Sequence, residues 1–265
     1  MGRLADTAPS GPRILFIDLE RVPGRVTMDI WHPKDFGRMS YGPKPATWDE
    51  QPRMLCFAAR WDGRKRAEFH ASWESADPHH LARESHRLVS AASHVVTYAG
   101  TIADIPWLKQ SWIEAELPPP APYKHVDLYK VAAQFGYPSR SLAHLCEVLG
   151  IGGKDGHYSV AEARACLAGD EAARKRMRRY NIGDVSEDSL GGVWRRLLPW
   201  IPGLNVGVMW LDEDKRCPAC GSTSIRRNGW YTAQVQSYAM WTCDDCGAHA
   251  RSNIVKNRSS LRGVR

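Results

Sequence analysis

The sequence predicts an α/β layered domain with a mixed sheet flanked by helices, followed by a small module folded around four cysteines. Three observations point there. Apolar strand-like runs come first, a strand–helix–strand alternation follows, and helical periodicity dominates the later part of the large domain. Two Cys-x-x-Cys pairs lie near the C-terminus, and four thiolates at that spacing suit metal better than a disulfide framework. Charge also divides along the chain. Lys215–Arg265 carries nine Lys/Arg against two Asp/Glu, which equals the +7 of all 265 residues, so the first 214 residues are neutral.

Composition narrows the class further. Hydrophobic residues at 43% and charged residues at 25% exclude a wholly disordered or collagen-like chain. The longest apolar runs, such as Ile14–Ile17, fall far short of the ~18 residues that suggest a membrane span. Met1–Arg13 holds no apolar core of signal-peptide type. The expectation is a soluble, cytoplasmic protein with no membrane partner.

The elements follow in order. Residues 1–12 read as a tail. Arg13–Ile17 is a continuous apolar run that suits a buried strand, ending in Asp18-Leu19-Glu20. Further strands are expected at Val26–Trp31, Met54–Trp61 and Arg66–His70, and Phe36–Pro52, rich in Gly and Pro, reads as an irregular loop. A helix is expected from Asp77, with Pro78 in its first turn, to Ala92, with Leu81, Ser85, Leu88 and Val89 on one face. His79-His80 reads as its solvated start, because adjacent helical residues do not share a face.

His94–Tyr98 is a short buried strand, and Asp104–Glu116 a helix with apolar Ile105, Leu108, Trp112 and Ile113. Pro118–Pro120 stops it. Ser139-x-Ser141-Leu142 opens a helix with Leu142, Leu145, Val148 and Leu149 at helical spacing, stopped by Gly150. Ser159–Ala168 and Glu171–Leu198 read as helices, the last ended by Pro199 and Pro202. The large domain therefore spans 13–202, a linker 203–214, and the basic module with its tail 215–265.

Chemistry concentrates on four carboxylates. Asp18 and Glu20 alternate along a strand and so point the same way. Two acids side by side at an apolar strand are costly without a cation, and Mg²⁺ or Mn²⁺ prefers such oxygen ligands. The bland reading is a solvated strand end. Asp104 follows a strand and a Gly turn into a helix start, where a carboxylate also serves as a cap. Tyr180 and Asp184 lie four apart on one helix face, where Asp184 also reads as one more surface acid.

In this order, Asp18, Glu20, Asp104 and Asp184, with Tyr180 four before the last, the sequence resembles the DEDD exonuclease superfamily in its tyrosine branch. It is similar to the DnaQ-like, ribonuclease H-fold 3′–5′ exonucleases, especially the family B polymerase-like proofreading exonucleases that occur without a polymerase. His125-Val126-Asp127-Leu128 and Ser141-Leu142-x-x-Leu145-Cys146-x-x-Leu149-Gly150-Ile151 fit the same pattern, which covers about Arg13–Pro202. The second motif departs from it: Ala99-Gly100 and Ala103 stand where the branch usually has Asn-Gly and a Phe.

The resemblance implies a ribonuclease H-like mixed sheet and hydrolysis of DNA or RNA from single-stranded 3′ ends with two Mg²⁺ or Mn²⁺ ions. Asp18 would bridge the ions, Glu20 and Asp184 would complete one site, and Asp104 would hold the other. Tyr180 would orient the water, since a phenol of pKa ~10 is a poor base at neutral pH. Replication and repair proteins are the partners such an enzyme meets, and so compact a nuclease suits a bacterium, a phage or a mobile element. Two other readings remain: a non-catalytic nucleic-acid-binding scaffold on the same fold, favoured by Ala99 and Ala103, and a structure-selective endonuclease.

In the C-terminal module, Cys217, Cys220, Cys243 and Cys246 are expected to hold one structural Zn²⁺ in a zinc ribbon, with short strands at Ser224–Arg227 and Gln236–Trp241. Arg226, Arg227, Trp230, Tyr231, Arg251 and Lys256, with Arg258 and Arg262, combine phosphate-binding charge with stacking surface, so nucleic acid is the expected partner and protein docking the alternative. Cys56, Cys146 and Cys166, and the helical Trp107, Trp112 and Trp194, read as core.

Overall fold

A computed structural model describes residues 11–27, 48–153, 156, 158–201, 203–209, 215–233 and 235–261. Most of the expected strand at Val26–Trp31, most of the Phe36–Pro52 loop, the tail 1–10, the linker residues 210–214 and Arg262 lie outside these, and the described Val26 and Thr27 are not in a strand.

β1 (Ile14–Val22) is the central strand. On its antiparallel side stand β2 (Arg53–Trp61) and β3 (Glu68–Ala71), and on its parallel side β4 (His94–Thr97) and β5 (Lys124–Asp127). The order is β3-β2-β1-β4-β5, a mixed sheet of ribonuclease H-like type. β1 runs on through the acidic pair to Val22, so Asp18 and Glu20 lie within the strand and not at its end. A register shift between Glu20 and Arg21 marks a bulge there, which re-aims the residues that follow.

Alternation along β1 assigns its two faces. Leu15, Ile17 and Leu19 pack with α1 (His80–Ser90) and α2 (Asp104–Glu114). Ile14, Phe16 and Val22 face the opposite layer: α3 (Leu128–Ala132), α4 (Leu142–Val148), α5 (Val160–Leu167), α6 (Glu171–Asp184) and α7 (Leu190–Leu197). Ser141, Ser159 and Asp170 cap α4, α5 and α6 as their side-chain chemistry favours. Leu81, Ser85, Leu88 and Val89 are all buried, as are Trp112, Trp194 and the three isolated cysteines. Trp107 is half-buried beneath the Arg21 guanidinium, 4.7 Å from its ring. Ile113 and Val148, expected in apolar stripes, are exposed because their helices have only one packed side.

The expected single helix Glu171–Leu198 is two. Arg60 of β2, buried to 2% exposure, enters between α6 and α7. Its Nε donates to the Val185 carbonyl at 2.6 Å, and its Nη1 pairs with Glu187 at 2.8 Å. A cation satisfying the last carbonyls ends a helix favourably. Gly191 leaves room, since a Cβ there would run into Arg60 and lie 2.9 Å from the Ser186 carbonyl.

A second sheet, β6 (Ile225–Thr232), β7 (Gln236–Cys243) and β8 (His249–Arg258), forms an antiparallel meander with β7 central. β6 and β7 extend the two expected strands, and β8 falls in what composition suggested was tail. At the start of the expected linker, Leu204 and Val206 are buried against the large domain. Lys124 Nζ donates to the carbonyls of Gly203 and Leu204, and the Val206 N–H donates to the Pro218 carbonyl at 2.6 Å.

The turn after β4 carries strain. Ala99 sits at φ +59°, a conformation that favours Gly or Asn. A Cβ at Gly100 would stand 2.5 Å from the Cβ of buried Thr97. Gly100→Ala should therefore lower stability by roughly 1–3 kcal/mol, whereas Ala99→Gly should raise it by about 0.5–1 kcal/mol. Urea unfolding measures both.

Burial holds His94 and His125 below the ordinary imidazole range. In the unfolded chain they take up protons first, near pH ~6.5. Their contribution is thus complete above that pH and is lost as pH falls below it. Melting temperature should drop between pH 7 and pH 5, with a shallower slope in His94→Leu.

Candidate functional site

The bulged half of β1 presents Asp18 and Glu20 toward α6. Ala173, Met177, Asn181 and Asp184 form the buried stripe of that helix, so its last turn delivers Asp184 to the strand. One oxygen from each of Asp18, Glu20 and Asp184 lies within 4.8 Å of the others. Like charges at 4.8 Å repel by about 3–4 kcal/mol per pair at an effective dielectric of ~20. Such a set is a cation site in its chemistry: all oxygen, half-buried and negative.

Asp104, first residue of α2, arrives from the other side. It is 5% exposed, and its carboxyl accepts from the N–H of Leu19, the residue between the β1 acids. Burial first, and then the charge of Asp18, push its pKa well above the usual carboxylate range. The same field reaches Cys56, which pairs with Glu20 across the sheet. Burial, then Glu20 and Asp18, push that thiol up. Asp104 thus adjoins Asp18 without joining the three-oxygen group. Tyr180 is half-buried one turn before Asp184 and lines a cavity of about 360 Å³ with Ser159, Glu162, Arg176, Met177 and Arg179.

Sequence reasoning missed one residue that holds this arrangement, Asn181, and placed a second, Asp127, only within the family pattern without a role. Asn181, fully buried, donates from Nδ2 to Asp18 Oδ2 at 2.7 Å and to the Asp18 carbonyl at 3.3 Å. Its signal was an amide on the otherwise apolar face of an amphipathic helix. Asp127, at the end of β5, accepts from the N–H groups of Ala99 at 2.9 Å and Thr101 at 3.0 Å, and caps α3 through Tyr129 N–H at 3.1 Å. One carboxylate therefore clasps the loop that leads into Asp104. No spacing rule reveals a contact between residues 28 apart.

In the C-terminal module, the four sulfurs of Cys217, Cys220, Cys243 and Cys246 converge within 4.8 Å. Cys217–Cys246 and Cys220–Cys243 stand at 3.7 Å. Tetrahedral zinc with Zn–S of about 2.3 Å requires edges of about 3.8 Å, so the donor set and its dimensions fit a structural Zn²⁺. Burial, and the neighbouring Cys217 sulfur, push the Cys220 and Cys246 thiols up, the latter to about 11.

The basic residues of the module divide. Arg226 is paired with Asp244 at 2.8 Å. Arg227 stacks over Trp230 at 4.3 Å, and Arg251 over Tyr238 at 4.1 Å and Tyr231 at 5.5 Å. Lys256 is exposed on β8. Trp230 and Tyr231 keep about half their surface open, at 50% and 46%.

A mixed sheet bearing clustered carboxylates, backed by helices on both faces, defines a nuclease-type α/β fold. Residues 49–189 match the family model RNase_H_2, described as RNase_H superfamily. That span exceeds half the chain, and the chain belongs to the RNase_H superfamily; β1 precedes the matched span. Among solved structures, the family B DNA polymerase from the hyperthermophilic archaeon Pyrobaculum calidifontis shares the fold with a TM-score of 0.51 at 19% identity. The match covers 71% of this chain and 25% of the polymerase, so the chain corresponds to a quarter of that protein's length. No curated protein matches. Among the described residues no helix is long and apolar enough to cross a membrane.

The buried core of the module is small, Cys217, Ala219, Cys243 and Ala248, so a metal held by the four cysteines would supply much of its folding energy. Stripping zinc with a chelator, or Cys243→Ser, should abolish protection of the β6–β8 amides. The five-stranded sheet should stay protected. Hydrogen exchange measures the two separately.

Proposed function

We propose that the chain is a metal-dependent 3′–5′ exonuclease acting on DNA or RNA. Residues 13–202 would form the nuclease domain, 203–214 the link and 215–265 a zinc ribbon that holds substrate. The supporting observation is the convergence of Asp18, Glu20 and Asp184 within 4.8 Å, with Asp104 hydrogen-bonded to the same strand. The donor chemistry fits Mg²⁺ or Mn²⁺. Asp18, Glu20 and Asp184 would hold one ion, and Asp18 with Asp104 a second. Bound there, such ions supply an activated water and stabilise the leaving 3′ oxygen.

The remaining work falls to the chain. Asn181 fixes one Asp18 oxygen on the strand. Asp127 holds the loop before Asp104, so the fourth carboxylate keeps its place when substrate enters. Tyr180 orients the attacking water from one turn before Asp184. Trp230 and Tyr231 stack unpaired bases while Arg227, Arg251 and Lys256 meet phosphates, and the tether raises the local concentration of 3′ ends.

A 5′-labelled single strand, as DNA and as RNA, tests this with Mg²⁺ or Mn²⁺. The native protein should yield a ladder shortening from the 3′ end, and Asp18→Ala should lose it by at least ~10³-fold, on the scale of losing a transition-state charge stabiliser. Binding without cleavage favours the scaffold reading, and internal cuts favour the endonuclease.

A further inference from the structure

Beyond the acids and the cysteines, the structure gathers a third group of metal-ligating side chains: His70, Glu74 and His80. One donor atom from each lies within 4.8 Å of the others. They come from three consecutive elements. His70 is on the outer strand β3, Glu74 in the turn after it, and His80 is the first residue of α1. Each is held independently. The His70 ring lies against Phe57, with centroids 5.0 Å apart, and is 17% exposed. The Glu74 N–H donates to the Ala71 carbonyl at 3.0 Å, and Glu74 Oε2 accepts from the Ala71 N–H at 3.0 Å, which folds the turn back on β3. Asp77 accepts from the His79 N–H at 2.9 Å and pairs with Arg83, which sets the start of α1.

One nitrogen in this group has no hydrogen bond among the described residues. His70 Nε2 is buried, 3.6 Å from Glu68 Oε2 and 4.0 Å from Glu84 Oε2, beyond hydrogen-bond reach of either. A buried ring nitrogen ordinarily finds a partner. Its ring lies 5.7 Å from that of His80 between centroids, tilted by 59°. Glu84 follows His80 by one helical turn on the same face and offers a further oxygen. Glu68 and Glu84 are themselves held by Arg87, at 2.6 and 2.9 Å, and Glu74 by Arg178 at 3.4 Å.

We propose that His70, Glu74 and His80 bind a divalent transition-metal ion of the zinc class, separate from the acid cluster and from the cysteine site. Two imidazoles and a carboxylate select zinc over magnesium, which takes oxygen ligands and keeps its water. Their donor atoms lie within 4.8 Å of one another, close to the roughly 3.4 Å edges of a tetrahedral site. β3 stands two strands from β1, about 10 Å across the sheet, so the ion lies apart from the acid cluster. It ties the sheet's free edge to the beginning of α1. The partner of His80 is His70, ten residues earlier.

The proposal does not rest on the nuclease reading. The full-length chain, equilibrated with zinc in excess magnesium and then desalted, is assayed for zinc by elemental analysis. The native chain should retain one zinc ion more than the cysteine site needs. His80→Gln and His70→Ala should each lose that ion and keep the other, and Asp18→Ala should keep both. Added zinc should raise the melting temperature of the native chain of the large domain, and this rise should vanish in His80→Gln. His80 is partly exposed, so His80→Gln carries the test if His70→Ala misfolds. A native chain holding zinc at the cysteines alone overturns the proposal. So does an extra ion that survives His80→Gln, or one lost only in Asp18→Ala, which assigns it to the acids.

Discussion

Three carboxylates crowded onto the centre of a sheet repel one another, and the large domain is arranged to hold them there. Each neighbour of the cluster is a positioning device. Asn181 grips Asp18 from α6, and the Leu19 N–H draws in the Asp104 carboxyl. Asp127 pins the loop that carries Asp104 into α2. The bulge after Glu20 turns β1 just where the acids end. They keep the oxygens convergent despite the repulsion between the charges.

The same constraint explains the break between α6 and α7. Asp184 must stop at the strand, so α6 ends there, and the buried Arg60 accommodates that end by bonding the Val185 carbonyl. Gly191 is the steric condition for this, because any side chain would displace the guanidinium. One arginine thus terminates a helix and links β2 to the layer that presents Asp184. The C-terminal module depends on a different constraint. Its buried core is four small residues, and its four sulfurs stand at zinc-site distances. The segment that leads to it is fastened to β4 and β5 through His94 and Lys124, so residues 203–206 belong physically to the large domain.

Much was legible in the residues themselves. The period-2 run of β1 placed Asp18 and Glu20 on one face, and the i, i+4 relation placed Tyr180 beside Asp184 on one helix. A serine start announced α4, and paired Cys-x-x-Cys turns announced the four-cysteine module. These signals are local, since each depends on backbone geometry within a few residues.

What the tertiary structure decided is non-local. It brought residue 184 to residue 18, set Asp127 on a loop 28 residues earlier, split one periodic helix with an arginine from another strand, and seated His70 against His80. It also added β8, whose polar, exposed residues carry no strand pattern and pair only because β7 offers an open edge. Sequence periodicity records which side of an element is buried. It does not record what lies across from it, because that depends on which distant segment the packed layers bring there.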